Sequence, residues 1–277
     1  VTGERPCHHD RELGVDVQRG RATVPDHLVG AVAVQVADAG AIDPEYEGVD
    51  LPALVHRSAD AAGLDADGIR AHLARVLAPT AAVAVDVFLR RVGRSGELHD
   101  RFWVGAAGAT HGERRPCGCW LLGPTAAPYV PVRIAELHGI GPGTALAGGP
   151  ITITGPDLEA LEEALATGGP DAAAGSLVDR GHTEIDARAV VLLATRTTTK
   201  LALSATWAGR AGVETHQVEH LSADGSLWRV ETDGDDRTFV PLGPTDAFAD
   251  IAGLLPGGDA LRLPAPWSVR AGGPATS

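Results

Sequence analysis

The chain reads as an α+β protein of pseudo-two-fold duplicated halves, each with antiparallel strands and packed helices. Residues 64–91 (LDADGIRAHLARVLAPTAAVAVDVFLRR) and 183–210 (TEIDARAVVLLATRTTTKLALSATWAGR) align without a gap, with Asp65 on Glu184, Asp67 on Asp186, Leu73 on Leu192 and Arg91 on Arg210. Each copy opens on carboxylates, which favour the positive end of a helix dipole, continues as an apolar helical stretch and ends in an alternating strand. A second unit recurs at 151–169 and 237–258: a short strand, a Gly-Pro hinge, an acidic first turn, an amphipathic helix and a Gly-Gly stop. Proline just inside a helix and glycine just past it are the punctuation that backbone geometry favours. Between alternating segments of the second half stand Asp224-Gly225 and Asp233-Gly234, a strong hairpin signal.

The elements follow in order. Residues 1–22 are polar and irregular and read as a lead-in. Val24–Ala39 is a short strand or a turn running into a helix near Pro25-Asp26. Residues 41–51 form a loop, and Pro52–Gly63 and Ala66–Leu77 two short helices. Val83–Arg91 alternates as a strand, Val92–Glu97 has the Gly and Ser of a hairpin tip, and Leu98–Ala107 returns antiparallel. Cys119–Leu122 and Tyr129–Leu137 are further strand candidates, and residues 139–150 are a glycine-rich loop. Helices are expected at Asp157–Ala166, Asp171–Arg180 and Ile185–Arg196, then strands at Lys200–Ala208, Thr215–Leu221, Leu227–Glu231 and Thr238–Leu242, and a last helix at Thr245–Leu255. The predicted organisation is a lead-in (1–22), one domain (23–258, its halves 52–169 and 170–258) and a Pro/Gly-rich tail (259–277).

Of 277 residues, 44% are hydrophobic and 21% charged, the composition of a globular rather than a disordered chain. The formal net charge is −13, from 23 basic and 36 acidic side chains, which argues against a nucleic-acid partner because phosphate backbones are repelled. That acidity is spread along the chain and reads as solubility. The longest apolar runs, at 28–37 and 81–89, are interrupted by Gln35 and Asp86 and fall short of the roughly 18 residues a membrane span needs. The opening VTGERPCHHDRELG has no apolar core of the signal-peptide kind. No membrane insertion and a cytoplasmic location are expected. Cys7, Cys117 and Cys119 are odd in number and fit a reducing compartment rather than a disulfide framework.

Candidate chemistry is sparse. Cys7-His8-His9-Asp10 has metal-ligand types but stands alone at the terminus, whereas a zinc site needs four converging ligands. Cys117-Gly-Cys119 lacks the two-residue spacer of redox and zinc motifs, and on a strand both thiols would share a face. His216 and His220 share a strand face without an evident third ligand and read as a surface pair. The loop HGIGPGTALAGG (138–149) lacks both the Lys-Ser/Thr of a P-loop and GxGxxG spacing. Ser222 and the other serines have no nucleophile-elbow motif. Glu162/Glu163 and Asp235/Asp236 read as a helix face and a turn. The expectation is therefore no enzyme: no catalytic residue, no cofactor and no metal. A hydrolase or metal-dependent enzyme is the alternative, and it would need His8, His9, His111, Cys117 and Cys119 to converge. An assembly protein that dimerises through one of its sheets, without dedicated cargo, is a third reading.

From Pro156 to Leu255 a helix (DLEALEEAL) leads into GPDAAAGSLVDRGHTEIDARAVVLLATRTTTKLALSATWAGR, a short helix ending in Asp-Arg-Gly and an Asp-Ala-Arg helix feeding a strand that ends in Gly-Arg. TFVPLGPTDAFADIAGLL closes the segment. This order resembles the EspG family, the ESX (type VII) secretion-associated proteins of actinobacteria, with Pro52–Ala107 fitting as the related copy. Two stretches depart from the family pattern. Ser222–Trp228 stands where family members often carry Asp-Thr before a Gly-Arg-Tyr turn, and Thr199-Lys200-Leu201 replaces a Gln-containing strand start. The resemblance implies a cytosolic, non-enzymatic chaperone that binds a PE/PPE-like helical secretion substrate, keeps it soluble and presents it for export. It also implies a partner contact at the hairpin tip Arg90, Arg91, Val92, Gly93, Arg94, Ser95, Gly96 and Glu97. The arginines would be the polar anchors there, since a planar multi-donor head suits interfaces. Ile185–Arg196 and Thr245–Leu255 would either extend that surface or pack in the core. A homodimer is left open.

Overall fold

A computed structural model of the chain describes residues 13–29, 57, 63, 65–81, 83–93, 96–106, 108–141, 148–209 and 212–257. Its elements run β1 (Gly14–Asp16), β2 (Arg21–Pro25), α1 (Ala66–Ala81), β3 (Val83–Gly93), β4 (Gly96–Gly105), β5 (Gly108–Arg114), β6 (Cys119–Thr125), α2 (Val130–His138) and β7 (Ile151–Ile153). They continue with α3 (Gly155–Asp179), α4 (Glu184–Arg196), β8 (Thr197–Ala208), β9 (Val213–Ala223), β10 (Ser226–Asp233), β11 (Asp236–Leu242) and α5 (Pro244–Leu254). The strands form one sheet in the order β1-β2-β6-β5-β4-β3-β8-β9-β10-β11-β7, and every neighbour is antiparallel. This is the α+β class that the sequence predicts.

The order helix, four antiparallel strands, helix occurs twice, as α1-β3-β4-β5-β6-α2 and α4-β8-β9-β10-β11-α5. The two quartets meet where β3 pairs with β8, from Val85 opposite Trp207 to Gly93 opposite Thr199. A preceding strand closes each quartet on its far side, β2 on β6 and β7 on β11. Burial matches the two helix–strand runs one residue out of step with the ungapped alignment. Ile69 corresponds to Ala187, Leu73 to Val191, Val85 to Leu203 and Val87 to Ala205, all buried. Asp65 corresponds to Thr183, and both act as N-caps, accepting from Gly68 N (2.6 Å) and Asp186 N (3.1 Å). The ungapped match would set the buried Val85 on the half-exposed Ser204, and a one-residue slip on a strand exchanges its faces.

Alternation divides the core between the two sides of the sheet. On one face Val85, Val87, Leu89, Phe102, Leu201, Leu203, Ala205 and Trp207 pack with Val130, Ile134 and Ala135 of α2 and Ile251 and Leu254 of α5. On the opposite face there are two separate clusters. Trp103, Trp120 and Leu122 lie with Ile69, Leu73, Val76 and Leu77 of α1, and Trp228, Val230 and Phe239 lie with residues of α3 and α4.

Several expectations change. Residues 14–22, read as lead-in, include β1 and the first two residues of β2 at a sheet edge. Tyr129–Leu137 is not a strand: its buried residues Val130, Ile134 and His138 recur every four positions and form α2, with proline in its first turn. The strand β5 carries no strong alternating signal in GATHGER and was not expected. Residues 151–169 belong beside the second quartet rather than in the first half, because β7 pairs with β11. The units at 151–169 and 237–258 are thus hydrogen-bonded neighbours, and their helices lie on opposite faces. The two helices expected at 157–166 and 171–180 are one element broken at Gly169 (φ 77°), a conformation that favours glycine. The break turns α3 back on itself. Asp157, in its first turn, accepts hydrogen bonds from Arg180 and His182 beyond its end, where a straight helix would hold them about 35 Å apart. The expected loop at 41–51, most of the helix at 52–63, the tail at 259–277 and Cys7–Asp10 lie outside the described residues.

The packing under α1 yields a test. A Cβ on Gly112 would meet Trp103 Cζ3 at 2.7 Å and Leu122 Cδ2 at 2.9 Å. Gly112→Ala is expected to cost about 1–3 kcal/mol, read as a lower urea midpoint with an unchanged slope.

Candidate partner-binding surface

The predicted hairpin exists: β3 and β4 pair from Val85–Val104 to Gly93–Gly96, and Arg94 and Ser95 at its tip lie outside the described residues. Strand alternation then separates the residues read as one group. Arg90 and Val92 belong to the face that carries α1, α3 and α4, and Arg91 to the face under α2 and α5. Arg90 donates from Nε and Nη2 to Glu97 Oε1 and Oε2 at 2.8 and 3.0 Å, and His99 Nε2 donates to Glu97 Oε1 at 2.5 Å. Those hydrogen bonds hold the Glu97 carboxyl down at about 2. Phe88, 37% exposed, lies against the His99 ring with centroids 5.4 Å apart.

Arg91 points the other way. It donates to Asp100 Oδ2 from Nε (3.0 Å) and Nη2 (2.8 Å), and from Nη1 to the carbonyl of Leu137 at the end of α2 (3.2 Å). His111 Nε2 on β5 donates to Asp100 Oδ1 at 2.8 Å, so one fully buried carboxylate gathers β3, β4 and β5, and Arg91 extends the clasp to α2. Burial alone would raise the Asp100 pKa. Hydrogen bonds from His111 and Arg91 outweigh it and leave the carboxyl below its ordinary value. Arg91 is therefore built into the support of the hairpin.

Between the α1 block and the α3–α4 block no described residue covers the sheet face. A groove of about 550 Å³ runs over β3, β8, β9 and β10, lined by Phe88, Arg90, Ala202, Ser204, Gln217 and Glu219 among others. Charges at this face are paired: Lys200 with Glu219 at 2.6 Å, Arg90 with Glu97, and Arg101 with Asp86. The floor is small and apolar-to-neutral where Ala202 and Ser204 stand, and Phe88 supplies its aromatic surface. Sequence reasoning missed this floor, because Ala202 and Ser204 carry no signal until the topology sets β8 beside β3. Asp100 was also missed. Its signal is the inward position it shares with Phe102 two residues on.

The described residues of the enzyme reading, His111, Cys117 and Cys119, do not assemble. His111 is engaged with Asp100 and stacks on Phe102, with centroids 4.6 Å apart. Cys119 is the buried first residue of β6, whereas Cys117 sits in the turn before it, so the two thiols do not share a strand face. Cys7, His8 and His9 lie outside the described residues. Among the described residues, no group of three or more His, Cys, Asp or Glu is arranged to hold a metal ion. No described helix is long and apolar enough to cross a membrane. His220 is not a surface residue: it is fully buried and bonded through Nε2 to Asp250 of α5 at 3.1 Å.

A continuous antiparallel sheet with helices at both ends of one face and an open centre defines an EspG-like α+β fold. Among solved structures, the chain is similar to the Mycobacterium tuberculosis type VII secretion system chaperone EspG5, determined in complex with a PE25–PPE41 dimer. The TM-score is 0.53 at 11% identity, over 87% of this chain and 97% of that chain, and at this identity the likeness establishes the fold. No family model and no curated protein matches the sequence.

The two arginines separate in a stability test. Asp100→Asn leaves Arg91 without its anion in a mostly buried setting and is expected to cost about 3 kcal/mol by chemical denaturation. Because the folded pKa of Asp100 is depressed, its contribution is complete above the ordinary carboxylate range and lost as pH falls through the folded value. The variant should therefore show a shallower acid limb below pH 4. Arg90→Ala, at the exposed pair, should leave the denaturation midpoint unchanged.

Proposed function

We propose that the chain is a non-enzymatic chaperone that binds a PE/PPE-like helical substrate of type VII secretion and keeps it soluble until export. The observation that carries this reading is the open centre of the sheet. Its groove lies between two helical blocks, in a fold similar to that of a chaperone solved with a PE–PPE dimer. A helical cargo of this kind exposes apolar surface that aggregates unless covered, and a helix laid into a groove is a common means of covering it. The contact is assigned to the groove floor at Phe88, Ala202 and Ser204 and to the adjoining tip, with Arg90, Val92, Gly93, Gly96 and Glu97 and, beyond the described residues, Arg94 and Ser95. Arg91 serves as a positioning residue through Asp100 and Leu137. The cytoplasm is the assigned location, where such cargo is made, and nucleic acid and membrane are not assigned as partners.

The test is co-purification of the tagged chain with PE–PPE-type dimers of its own source, followed by calorimetry on the purified pair. A one-to-one complex is expected, and Ser204→Trp, which fills the groove, should weaken it at least 100-fold while leaving the melting temperature within about 2 °C. Absence of a complex with every such dimer, or a complex indifferent to Ser204→Trp, would overturn the reading.

A further inference from the structure

On the face away from the groove, two histidines meet inside the core. His138 ends α2 and is 7% exposed, and His220 of β9 is fully buried. Their rings stack with centroids 5.5 Å apart. Asp250 can only accept, so His220 donates from Nε2 and its Nδ1 carries a bare lone pair. Among the described residues that Nδ1 has no hydrogen-bond partner, and neither ring nitrogen of His138 has one. A buried ring without partners is tolerated only while neutral, since protonation would add an unsolvated charge.

The surrounding charges oppose protonation of His138. Arg91 of β3 donates to the carbonyl beside it, and Arg229 of β10 shares Asp250 with His220, Nη1 to Oδ1 at 2.9 Å. Asp100 of β4 is committed to Arg91 and His111, and Glu231 of β10 to Arg229. On α2 itself, Arg133 and Glu136 pair with each other at 2.8 Å. Among the described residues, Asp250 is the one anion bonded to the pair, through His220. In accord with this geometry, burial first, then His220 and Arg91, pulls His138 down to about 3, and burial lowers His220 as well.

We propose that the His138–His220 pair is an acid-sensitive latch that holds α2 and α5 on the sheet while both rings are neutral and releases them on mild acidification. The sign follows from linkage. Both folded values lie below the ordinary histidine value near 6.5, so a state in which α2 and α5 have lifted binds protons that the closed state refuses. His138 then favours opening by up to about tenfold per pH unit below that value and His220 adds to it in the same direction, a window above the ordinary carboxylate range. Lifting α2 breaks the bond from Arg91 to Leu137 and uncovers the Arg91–Asp100 pair behind the hairpin, so acid loosens the partner surface. This last consequence rests on the proposed chaperone reading, whereas the latch itself does not.

Hydrogen–deuterium exchange on the isolated chain from pH 7.5 to 5.0, corrected for the intrinsic rate, tests the latch. Opening of α2 and α5 should rise at least fivefold between pH 6.5 and 5.5 while α3 and α4 change less than threefold. His138→Leu should reduce the slope by up to about one decade per pH unit and raise protection at pH 5.5. His220→Leu, which leaves Asp250 its bond from Arg229, serves the same purpose should the first variant fail to fold. Equal acid response in all four helices, or slopes unchanged in whichever variant folds, would overturn the latch. Faster release of a bound PE–PPE dimer at pH 5.5, abolished by the variant, would support the coupling. Unchanged release beside a confirmed exchange response would overturn the coupling alone.

Discussion

The pairing of β3 with β8 is the constraint on which the molecule depends. Nine residues of β3, Val85–Gly93, pair with β8 and convert two four-stranded units into one sheet. The same pairing fixes what lies on each side. Leu89 opposite Leu203 and Val87 opposite Ala205 make a continuous apolar strip that only a helix pair can cover, and α2 and α5 cover it. Phe88 opposite Ser204 and Arg90 opposite Ala202 make a strip of mixed character on the other side. No buried cluster forms over its centre, and the helices gather over the flanking strands instead. The open groove and the closed core are consequences of one register.

Burying polar groups on the α2–α5 side has a cost that the fold offsets in two different ways. Around Asp100 the answer is saturation: two hydrogen bonds from Arg91 and one from His111 satisfy a carboxylate with no exposed surface. Around Asp250 it is partial, because His220 and Arg229 are served while His220 Nδ1 and the whole His138 ring are not. A saturated buried network rigidifies its surroundings, and an incomplete one is where a structure yields first. Both meet α2, one at the carbonyl of Leu137 and the other at the next residue, His138. The end of this short helix is therefore held by a charged donor at one residue and left unsatisfied at the next.

Much of the fold is legible in the sequence because its signals are local. Asp224-Gly225 turns the chain between β9 and β10 with both residues at positive φ, and β3, β4 and β8 to β11 alternate as strands should. What escaped depends on partners far along the chain. In GATHGER, Gly112 sits at a buried position that Trp103 and Leu122 fill from neighbouring strands, so no apolar side chain marks β5. In VPVRIAELH the opening Val-Pro-Val imitates alternation, and the four-residue spacing of Val130, Ile134 and His138 emerges only against the sheet. The hairpin was legible as an element, and the face each of its residues occupies was not. The hairpin lies where its turn residues put it, but a period of two sends Arg90 and Arg91 to opposite sides, and contiguity in sequence suggested otherwise. His216 and His220 do share a face, as their spacing requires, yet only His220 falls under α5 and becomes buried.

The open face also constrains how it can recognise a partner. Its charged residues already neutralise one another, Lys200 with Glu219, Arg90 with Glu97 and Arg101 with Asp86. A partner therefore leaves no bare charge stranded when it covers them, and it gains little from salt bridges of its own, since exposed pairs contribute weakly. Affinity has to come from shape and from apolar area over Phe88, Ala202 and the stems of the paired side chains. Such a surface discriminates by fit. A helix bearing small or aromatic residues along one stripe can approach the β8 floor closely, whereas one bearing an unpaired carboxylate or amine on that stripe would have to bury it against partners already engaged. Weak charge recognition over a preformed groove would suit the proposed chaperone, because release would then require loss of fit rather than rupture of a buried ion pair.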